Sequence, residues 1–145
     1  MHNTPVRSAY YAENPIAVII GCGNIGMGCA RTLGARRPVL LVDINKQQLD
    51  DCVAALHYEG YAASGYHCDI TDPNQISGLA DLLAKGPGVQ VLAHVAAVAG
   101  AGISWRTLMT VDLIGAHLVT NAISPHIVRG GVAILISSMG SYQSP

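Results

Sequence analysis

The stretch IAVIIGCGNIGMG, residues 16–28, contains the strongest structural signal in this chain. Its first five residues form an apolar, largely β-branched run, which predicts a buried strand. Glycines follow at positions 21, 23, 26 and 28, and a helical pattern begins at about Asn24 and continues to about Ala35. A glycine-rich turn between a strand and a helix is typical of a dinucleotide site, because free amides and the helix dipole hold a diphosphate there.

Each residue of this turn has a predicted physical role. Gly21 permits the tight turn, Gly23 lets the backbone approach the diphosphate, and Gly26 allows the helix to pack closely. Asn24 and Ile25 supply first-turn amides that have no acceptor within the helix. The alternative is a glycine-rich turn that binds no ligand.

A carboxylate follows at the separation that such a site requires. Asp43 lies 20 residues after Gly23, at the end of a second apolar run, where it is predicted to accept hydrogen bonds from the adenosine ribose hydroxyls. It would repel a 2′-phosphate, and its neighbour Ile44 brings no positive charge, so NAD is favoured over NADP. Alternatively, Asp43 caps the next helix. Arg36 and Arg37 are predicted to be solvated.

The rest of the chain alternates short apolar runs with helical patterns, which predicts parallel strands joined by right-handed helical crossovers. Asn45 is predicted to cap the second helix, and Thr71 or Asp72 the third. Gly86-Pro87-Gly88 should end the third helix and Gly130-Gly131 the fourth. The further strands are predicted at residues 39–42, 61–68, 89–95 and 132–136, and the further helices at 46–57, after Asp72, and at 104–128.

The carboxyl ends of the five strands should meet in one crevice. The residues predicted at these ends are Gly21, Asp43, Asp69, Ala96 with Ala97, and Ser137 with Ser138. Asp69 is predicted to lie near the adenine amino group, with Ile70 against the ring. The alternative is that Asp69 and Asp72 only cap the helix that follows them.

Composition limits the class of protein. The 145 residues are half apolar and only 12% charged, against about 25% charged in an average soluble domain. The sheet is therefore covered on both faces, or the chain belongs to a larger body. Residues 1–14 are predicted to be a flexible leader, and residues 15–145 one domain.

Several functional classes are disfavoured. No apolar run reaches the ~20 residues of a membrane span, and the net charge of −1 argues against nucleic acid as a partner. The four cysteines and six histidines show no metal-ligand spacing, so no metal site is predicted. We expect buried thiols in a cytoplasmic protein.

Taken together, these motifs resemble the short-chain dehydrogenase/reductase family. The resemblance extends from Ile16 onward, in the family's order, and also includes Val-Asp-Ile at 42–44, Cys-Asp-Ile-Thr-Asp at 68–72, Val-Asp-Leu-Ile-Gly at 111–115 and the run 131–138. It implies an α/β fold with a Rossmann-type doubly wound parallel sheet, helices on both faces and strand order 3-2-1-4-5. The implied activity is hydride transfer with NAD, or less favourably NADP, interconverting an alcohol and a ketone.

The resemblance also implies catalytic residues. Ser138 matches the family's active-site serine, with Ser137 as the neighbouring alternative, and is expected to polarise the substrate oxygen. Asp112 occupies the place of a helix asparagine that supports a water relay, or is a structural carboxylate. His94-Val95-Ala96-Ala97 replaces the usual Asn-Asn-Ala-Gly. Ala96 and Ala97 are still expected to pass under a cofactor ribose, and His94 is expected to be a core histidine with one satisfied ring nitrogen.

One part of the family pattern is not found. The family's general acid/base is a tyrosine with a lysine four residues later, but the only lysines here are Lys46 and Lys85. The chain is therefore predicted to be the first portion of a longer sheet, inactive alone, forming a homo-oligomer or associating with the remaining portion. The alternatives are a non-catalytic dinucleotide-binding module and, less favoured, a relative that modifies sugar nucleotides.

Overall fold

The computed structural model describes residues 13–138, and these form a five-stranded parallel sheet with helices on both faces. The strands lie in the order β3-β2-β1-β4-β5, which confirms the predicted topology. The strands are β1 (Ile16–Ile20), β2 (Val39–Asp43), β3 (Ala63–His67), β4 (Val89–His94) and β5 (Ile127–Leu135). The first three helices are α1 (Asn24–Gly34), α2 (Lys46–Tyr58) and α3 (Pro73–Ala84). Residues 1–12, where most of the predicted leader falls, lie outside the described part.

Alternation along β1 divides the core into two layers, because successive strand side chains point to opposite faces of a sheet. Val18 and Ile20 pack with Leu79 and Ile123 on one face. Ala17 and Ile19 pack with other buried side chains on the opposite face, including Ala30, Leu49 and Leu56. The central strands are thus buried on both sides, which accounts for the low charged fraction of the chain.

Side-chain caps fix where two of the helices begin. The Asn45 side chain accepts a hydrogen bond from the Gln48 amide at 3.1 Å, as predicted. Asp72, rather than Thr71, caps α3 by accepting from the Asn74 amide at 2.9 Å. Hydrogen bonds from Gln75 and Asn74 hold the pKa of Asp72 below its ordinary value. Both caps set the strand-to-helix turns beside the crevice.

The single helix predicted over residues 104–128 is wrong. The segment instead contains α4 (Trp105–Leu108), a π-helix (Met109–Gly115), α5 (Ala116–Ile123) and a 3₁₀ turn (Ser124–His126). The helix ends before Pro125, which has no amide hydrogen to continue the α-helical pattern. The helix is wider over this π-helical segment than over the α-helical segments on either side, and Asp112 lies within it.

The last strand also begins earlier than predicted. β5 starts at Ile127 instead of residue 132, so Gly130 and Gly131 lie within the strand and do not end a helix. Gly130 has φ of 80°, and the pairing of β4 with β5 shifts register between Val89 and Val91. The extra backbone length is therefore absorbed as an irregularity in the strand.

Several apolar side chains at the end of β5 and directly after it are exposed. Val132, Ile134, Leu135 and Ile136 are each about half exposed. Ile134 and Ile136 line an apolar cavity together with Ile25 and Leu33. Within residues 13–138, no helix is long and apolar enough to cross a membrane.

Candidate functional site

A cavity of about 410 Å³, called the main cavity below, opens at the carboxyl ends of the strands. This volume falls within the range of roughly 300–1,000 Å³ that is usual for small-molecule sites. It lies where the strand order reverses between β1 and β4, the place at which open α/β sheets bind ligands. Its walls are formed by Ile20, Gly21, Gly23, Val42, Asp43, Ile44, Asn45, Gln48, Cys68, Asp69, Ile70, Val95, Ala96, Ala97, Val98 and Val111.

Gly21 forms the tight turn at the end of β1. Its φ of 97° is a conformation that favours glycine, and its amide donates to the Val42 carbonyl oxygen at 2.7 Å. A Cβ atom at this position would lie 2.8 Å from the Ala96 backbone nitrogen. Two constraints therefore require glycine here, the turn itself and the close approach of the loop after β4.

Gly26 and Gly23 serve different purposes in the same turn. A Cβ on Gly26 would overlap with the Gly21 carbonyl oxygen, so this glycine lets α1 pack against the turn. A Cβ on Gly23 would meet no heavy atom within 4 Å. Gly23 thus borders open space at the start of α1, where no side chain caps the first-turn amides. An anion placed there would meet free N–H groups and the positive end of the helix dipole.

Asp43 is held in place by the glycine-rich turn. Its Oδ2 accepts from the Cys22 amide at 2.8 Å and from the Cys22 thiol at 3.2 Å. Its Oδ1 accepts from the Asn45 amide at 2.8 Å. The alternative that Asp43 caps α2 is wrong, because the side chain of Asn45 is the cap of that helix. Oδ1 has a second lone pair with which to accept from a ligand, whereas Cys22 occupies both acceptor positions of Oδ2.

The second acidic position lies at the end of β3. Asp69 Oδ1 accepts from the Thr71 amide at 2.8 Å and from the Thr71 hydroxyl at 2.7 Å, which leaves Oδ2 without a partner in the described part of the chain. Ile70 is 8% exposed and packs beside it. His67 Nε2 lies 2.9 Å from the Ile44 carbonyl oxygen and so links β3 to the residue that follows β2.

Asp112 supports the loop after β4. It accepts from the Val98 amide at 2.9 Å, and Val98 lines the cavity. His94, at the end of β4, is only 3% exposed, and its Nε2 has no hydrogen-bond partner among residues 13–138. Burial lowers the pKa of His94, while a backbone hydrogen bond and the charge of Asp112 oppose that shift. The charged form of the imidazole is therefore less favourable in the folded protein than in the unfolded chain.

Eight of the predicted cofactor residues line this cavity. They are Gly21, Gly23, Asp43, Ile44, Asp69, Ile70, Ala96 and Ala97. The helix-start residues Asn24, Ile25 and Gly26 do not line it, and Ile25 borders the apolar cavity beside β5 instead. Asp112 and Ser138 also lie outside the walls, and both Ser137 and Ser138 are exposed past the end of β5.

Three contributors were missed in the sequence. Cys22 ties the turn to Asp43, Gln48 reaches the Cys22 carbonyl oxygen at 3.5 Å, and Val111 closes the cavity from the π-helix. Gln48 lies in the first turn of α2, close in sequence to Asp43, so its position could have been inferred from the sequence. Val111 could not be placed before the π-helical turn was known.

The sheet order and the glycine-rich turn define an α/β protein with a Rossmann-type parallel sheet. A family model described as "Enoyl-(Acyl carrier protein) reductase" matches residues 22–144. The chain belongs to the short-chain dehydrogenase/reductase family of oxidoreductases.

Curated relatives agree with this assignment. The chain is 30% identical over 139 residues to "Uncharacterized oxidoreductase YxbG" of Bacillus subtilis (strain 168), covering 87% of this chain and 50% of that protein. It is 28% identical over 130 residues to "Short-chain dehydrogenase/reductase bsc3" of Alternaria brassicicola, covering 86% of this chain and 46% of that protein. The chain therefore spans about half the length of the curated relatives it matches.

Solved structures share the fold. A short-chain dehydrogenase/reductase from Brucella melitensis superposes with a TM-score of 0.78 at 19% identity, covering 93% of this chain and 61% of that one. A structure titled "Crystal Structure of NAD+-Bound Xylitol Dehydrogenase" gives a TM-score of 0.78 at 23% identity, covering 90% and 55%.

The family implies a nicotinamide dinucleotide, and the residues present fit one. Gly23 leaves open space above uncapped amides for the diphosphate. Asp43 and Asp69 offer unused acceptor positions in the same cavity, one at each of two neighbouring strand ends. Apolar walls from Ile44 and Ile70 are suited to a flat base.

Proposed function

We propose that this chain forms the NAD-binding portion of an oxidoreductase that interconverts an alcohol and a ketone. The observation that carries the proposal is the shared cavity in which Gly23 borders uncapped amides and Asp43 presents a fixed carboxylate. The diphosphate would rest on the amides at the start of α1. Asp43 would accept from the adenosine ribose hydroxyls, Asp69 from the adenine amino group, and Ala96 and Ala97 would lie under the second ribose.

Preference for NAD over NADP rests on the charge and fixed position of Asp43. Three hydrogen bonds from the Cys22 amide, the Cys22 thiol and the Asn45 amide keep the carboxylate in place. A 2′-phosphate would be brought against this negative charge, and Ile44 beside it has no charge to offset the repulsion. Like charges forced together cost several kcal/mol, so we expect NADP to bind at least about tenfold more weakly than NAD.

The nicotinamide would supply the hydride acceptor or donor when the cofactor is bound. Ser138 would donate a hydrogen bond to the substrate oxygen and so favour the charge that develops there. Ser137 is the adjacent candidate, one residue closer to β5. Asp112 would hold the loop after β4 through the Val98 amide and so orient Ala97 beneath the second ribose.

Calorimetric titration with NAD and with NADP tests this proposal. The protein should be compared with Asp43→Ala and with Asp51→Ala, an exposed α2 carboxylate that lies outside the main cavity. We expect Asp43→Ala to weaken NAD binding and to narrow the difference between the two cofactors, while Asp51→Ala changes neither. Equal affinity of the unchanged protein for NAD and NADP would contradict the role of Asp43.

A non-catalytic dinucleotide-binding module is the second candidate. It is supported by the position of Ser138, which is exposed past the end of β5 and is not among the walls of the main cavity. Hydride transfer from secondary alcohols to bound NAD, followed by absorbance of the reduced nicotinamide, distinguishes the two candidates. Binding without any such transfer, measured on the full-length protein, would favour the module.

Association and location are part of the same proposal. Trp105, Met109 and Leu113 recur every four residues along α4 and the π-helix, and all are exposed. We propose that this stripe contributes to a homo-oligomer, or to contact with the remaining portion of the protein. Light scattering of Leu113→Asp against the unchanged protein tests this directly.

Four free thiols among the described residues support a reducing, cytoplasmic location.

A further inference from the structure

Two cysteines meet directly behind the glycine-rich turn. Cys22 stands between Gly21 and Gly23 and is 1% exposed, while Cys52 lies on α2 and is partly exposed. The Cys52 thiol donates to the Cys22 carbonyl oxygen at 3.3 Å. After burial and Asp43, the neighbouring Cys52 thiol is a further cause of the raised pKa of Cys22.

This contact joins two elements that are far apart in sequence. The cysteines are 30 residues apart, one in the turn that borders the main cavity and one on the helix that Asn45 caps. Cys22 also bonds Asp43 through both its amide and its thiol. A change at the Cys22 sulfur would therefore reach the turn and the ribose-binding carboxylate together.

The pair is open to reagents from one side only. Cys52 lines a surface cavity of about 370 Å³ together with Met27, Asn45, Gln48 and Ala55. Cys22 has no such access, and burial with hydrogen bonding to Asp43 raises its pKa far above the ordinary value. Cys52 is thus the thiol that an incoming reagent meets first, and Cys22 is the neighbour placed to react second.

We propose that Cys22 and Cys52 form a reversible intrachain disulfide in response to a small-molecule disulfide, and that this bond weakens dinucleotide binding. The Cys52 sulfur attacks one sulfur of the reagent, and the other sulfur leaves as a thiol that takes up the Cys52 proton. The Cys22 sulfur then attacks Cys52, and the second reagent thiol leaves with the Cys22 proton. Two protein thiols are oxidised, and one disulfide is reduced to two thiols.

Weaker binding follows from the bonds that the disulfide removes. The Cys22 sulfur turns from Asp43 towards α2, and the Cys52 thiol no longer donates to the Cys22 carbonyl oxygen. The turn then shifts relative to the carboxylate that it positions. Loss of one hydrogen bond to a charged group corresponds to about a tenfold loss of affinity, which is the change we expect for NAD. This second part of the inference rests on the proposed function.

The test uses the 145-residue chain with glutathione disulfide as the reagent. Non-reducing peptide mapping should find Cys22 linked to Cys52, with a mass loss of two hydrogens that dithiothreitol restores. NAD affinity is measured by calorimetry before oxidation, after it, and after reduction. Cys52→Ser should abolish both the linkage and the fall in affinity, while Cys29→Ser, a partly exposed thiol on α1, should leave both unchanged.

Each outcome has a distinct meaning. Persistent glutathione adducts without the Cys22–Cys52 linkage would overturn the disulfide site. Linkage with unchanged NAD affinity would overturn its connection to the cofactor. Linkage in a protein whose reduced form does not bind NAD would leave the disulfide site standing and refute the proposed function instead.

Discussion

The Asp112 carboxylate accepts a hydrogen bond from the Val98 amide at 2.9 Å, joining the π-helix to the loop after β4. The Val98 amide needs a hydrogen-bond acceptor at this position, and a neutral acceptor can serve as well as a charged one. Asp112→Asn should therefore preserve it, because the amide side chain also presents an acceptor oxygen. Asp112→Ala should remove it and destabilise the protein by about 1 kcal/mol.

Hydrogen exchange at Val98 measures this contact directly. Exchange at that amide should be faster in Asp112→Ala and close to unchanged in Asp112→Asn, while the amides of β1 serve as an internal reference. Slow exchange at Val98 in the alanine variant would show that another group holds the loop.

Gly21 and Gly23 should respond oppositely to the same substitution. Gly21→Ala places a methyl group 2.8 Å from the Ala96 nitrogen at a φ of 97°, so it should destabilise the fold by at least about 1–2 kcal/mol. Gly23→Ala meets no neighbour and should leave the melting temperature almost unchanged. Its methyl group would instead occupy space proposed for the diphosphate.

Thermal unfolding and NAD titration of both variants separate the two effects. We expect stability to fall in Gly21→Ala and affinity to fall, without loss of stability, in Gly23→Ala. Normal NAD binding by Gly23→Ala would place the diphosphate elsewhere.

The buried imidazole of His94 should make stability depend on pH. Its pKa in the folded protein is lowered from 6.5, mainly by burial, so the unfolded chain binds the proton more readily. The free energy of unfolding should therefore fall as pH drops below about 6.5, with a slope of at most about 1.4 kcal/mol per pH unit, until the folded-state pKa is passed.

Urea denaturation between pH 5 and 8 tests the sign of this effect. In His94→Asn the decline over that range should largely disappear. His117→Asn, a change of an exposed histidine on α5, should retain it. A decline of equal slope in both variants would assign the pH dependence to other groups.

Gly115 provides a test of how the π-helix shapes the cavity. A Cβ there would lie 3.0 Å from Ile70 Cγ1 and 3.2 Å from the Ile70 carbonyl oxygen, and Ile70 lines the main cavity. Gly115→Ala should destabilise the protein by about 1–3 kcal/mol through overpacking and should also weaken NAD binding. Gly28 lies within α1, and a Cβ there would meet no heavy atom within 4 Å. Gly28→Ala should therefore leave the free energy of unfolding unchanged or raise it. Parallel melting curves and titrations of both variants provide the comparison.

The strand order and the main cavity could be predicted because local signals agreed with the fold. The glycines after β1, the carboxylate ending β2 and the caps at Asn45 and Asp72 each depend on residues close in sequence. The local preference and the folded structure agree at these places, because the turn, the cap and the strand end are set by the same few residues.

The region after β4 was predicted less well for a physical reason. Ile127 and Val128 suit a helix interior or a strand equally by hydrophobicity, and Gly130 can end a helix or accommodate an irregular strand position. Pairing with β4, a long-range contact, decided in favour of the strand. The tie between Cys22 and Asp43 was hidden for the same reason, because it depends on the approach of two separate strand ends.

The walls of the main cavity have a simple distribution along the chain. All of them fall between Ile20 and Val111, whereas Ser137 and Ser138 follow β5. Under the proposed function, recognition of the cofactor and handling of the substrate oxygen would be encoded in consecutive, non-overlapping segments. A chimaera that receives residues 16–111 from a relative with the opposite cofactor preference should acquire that preference while keeping its own serine segment.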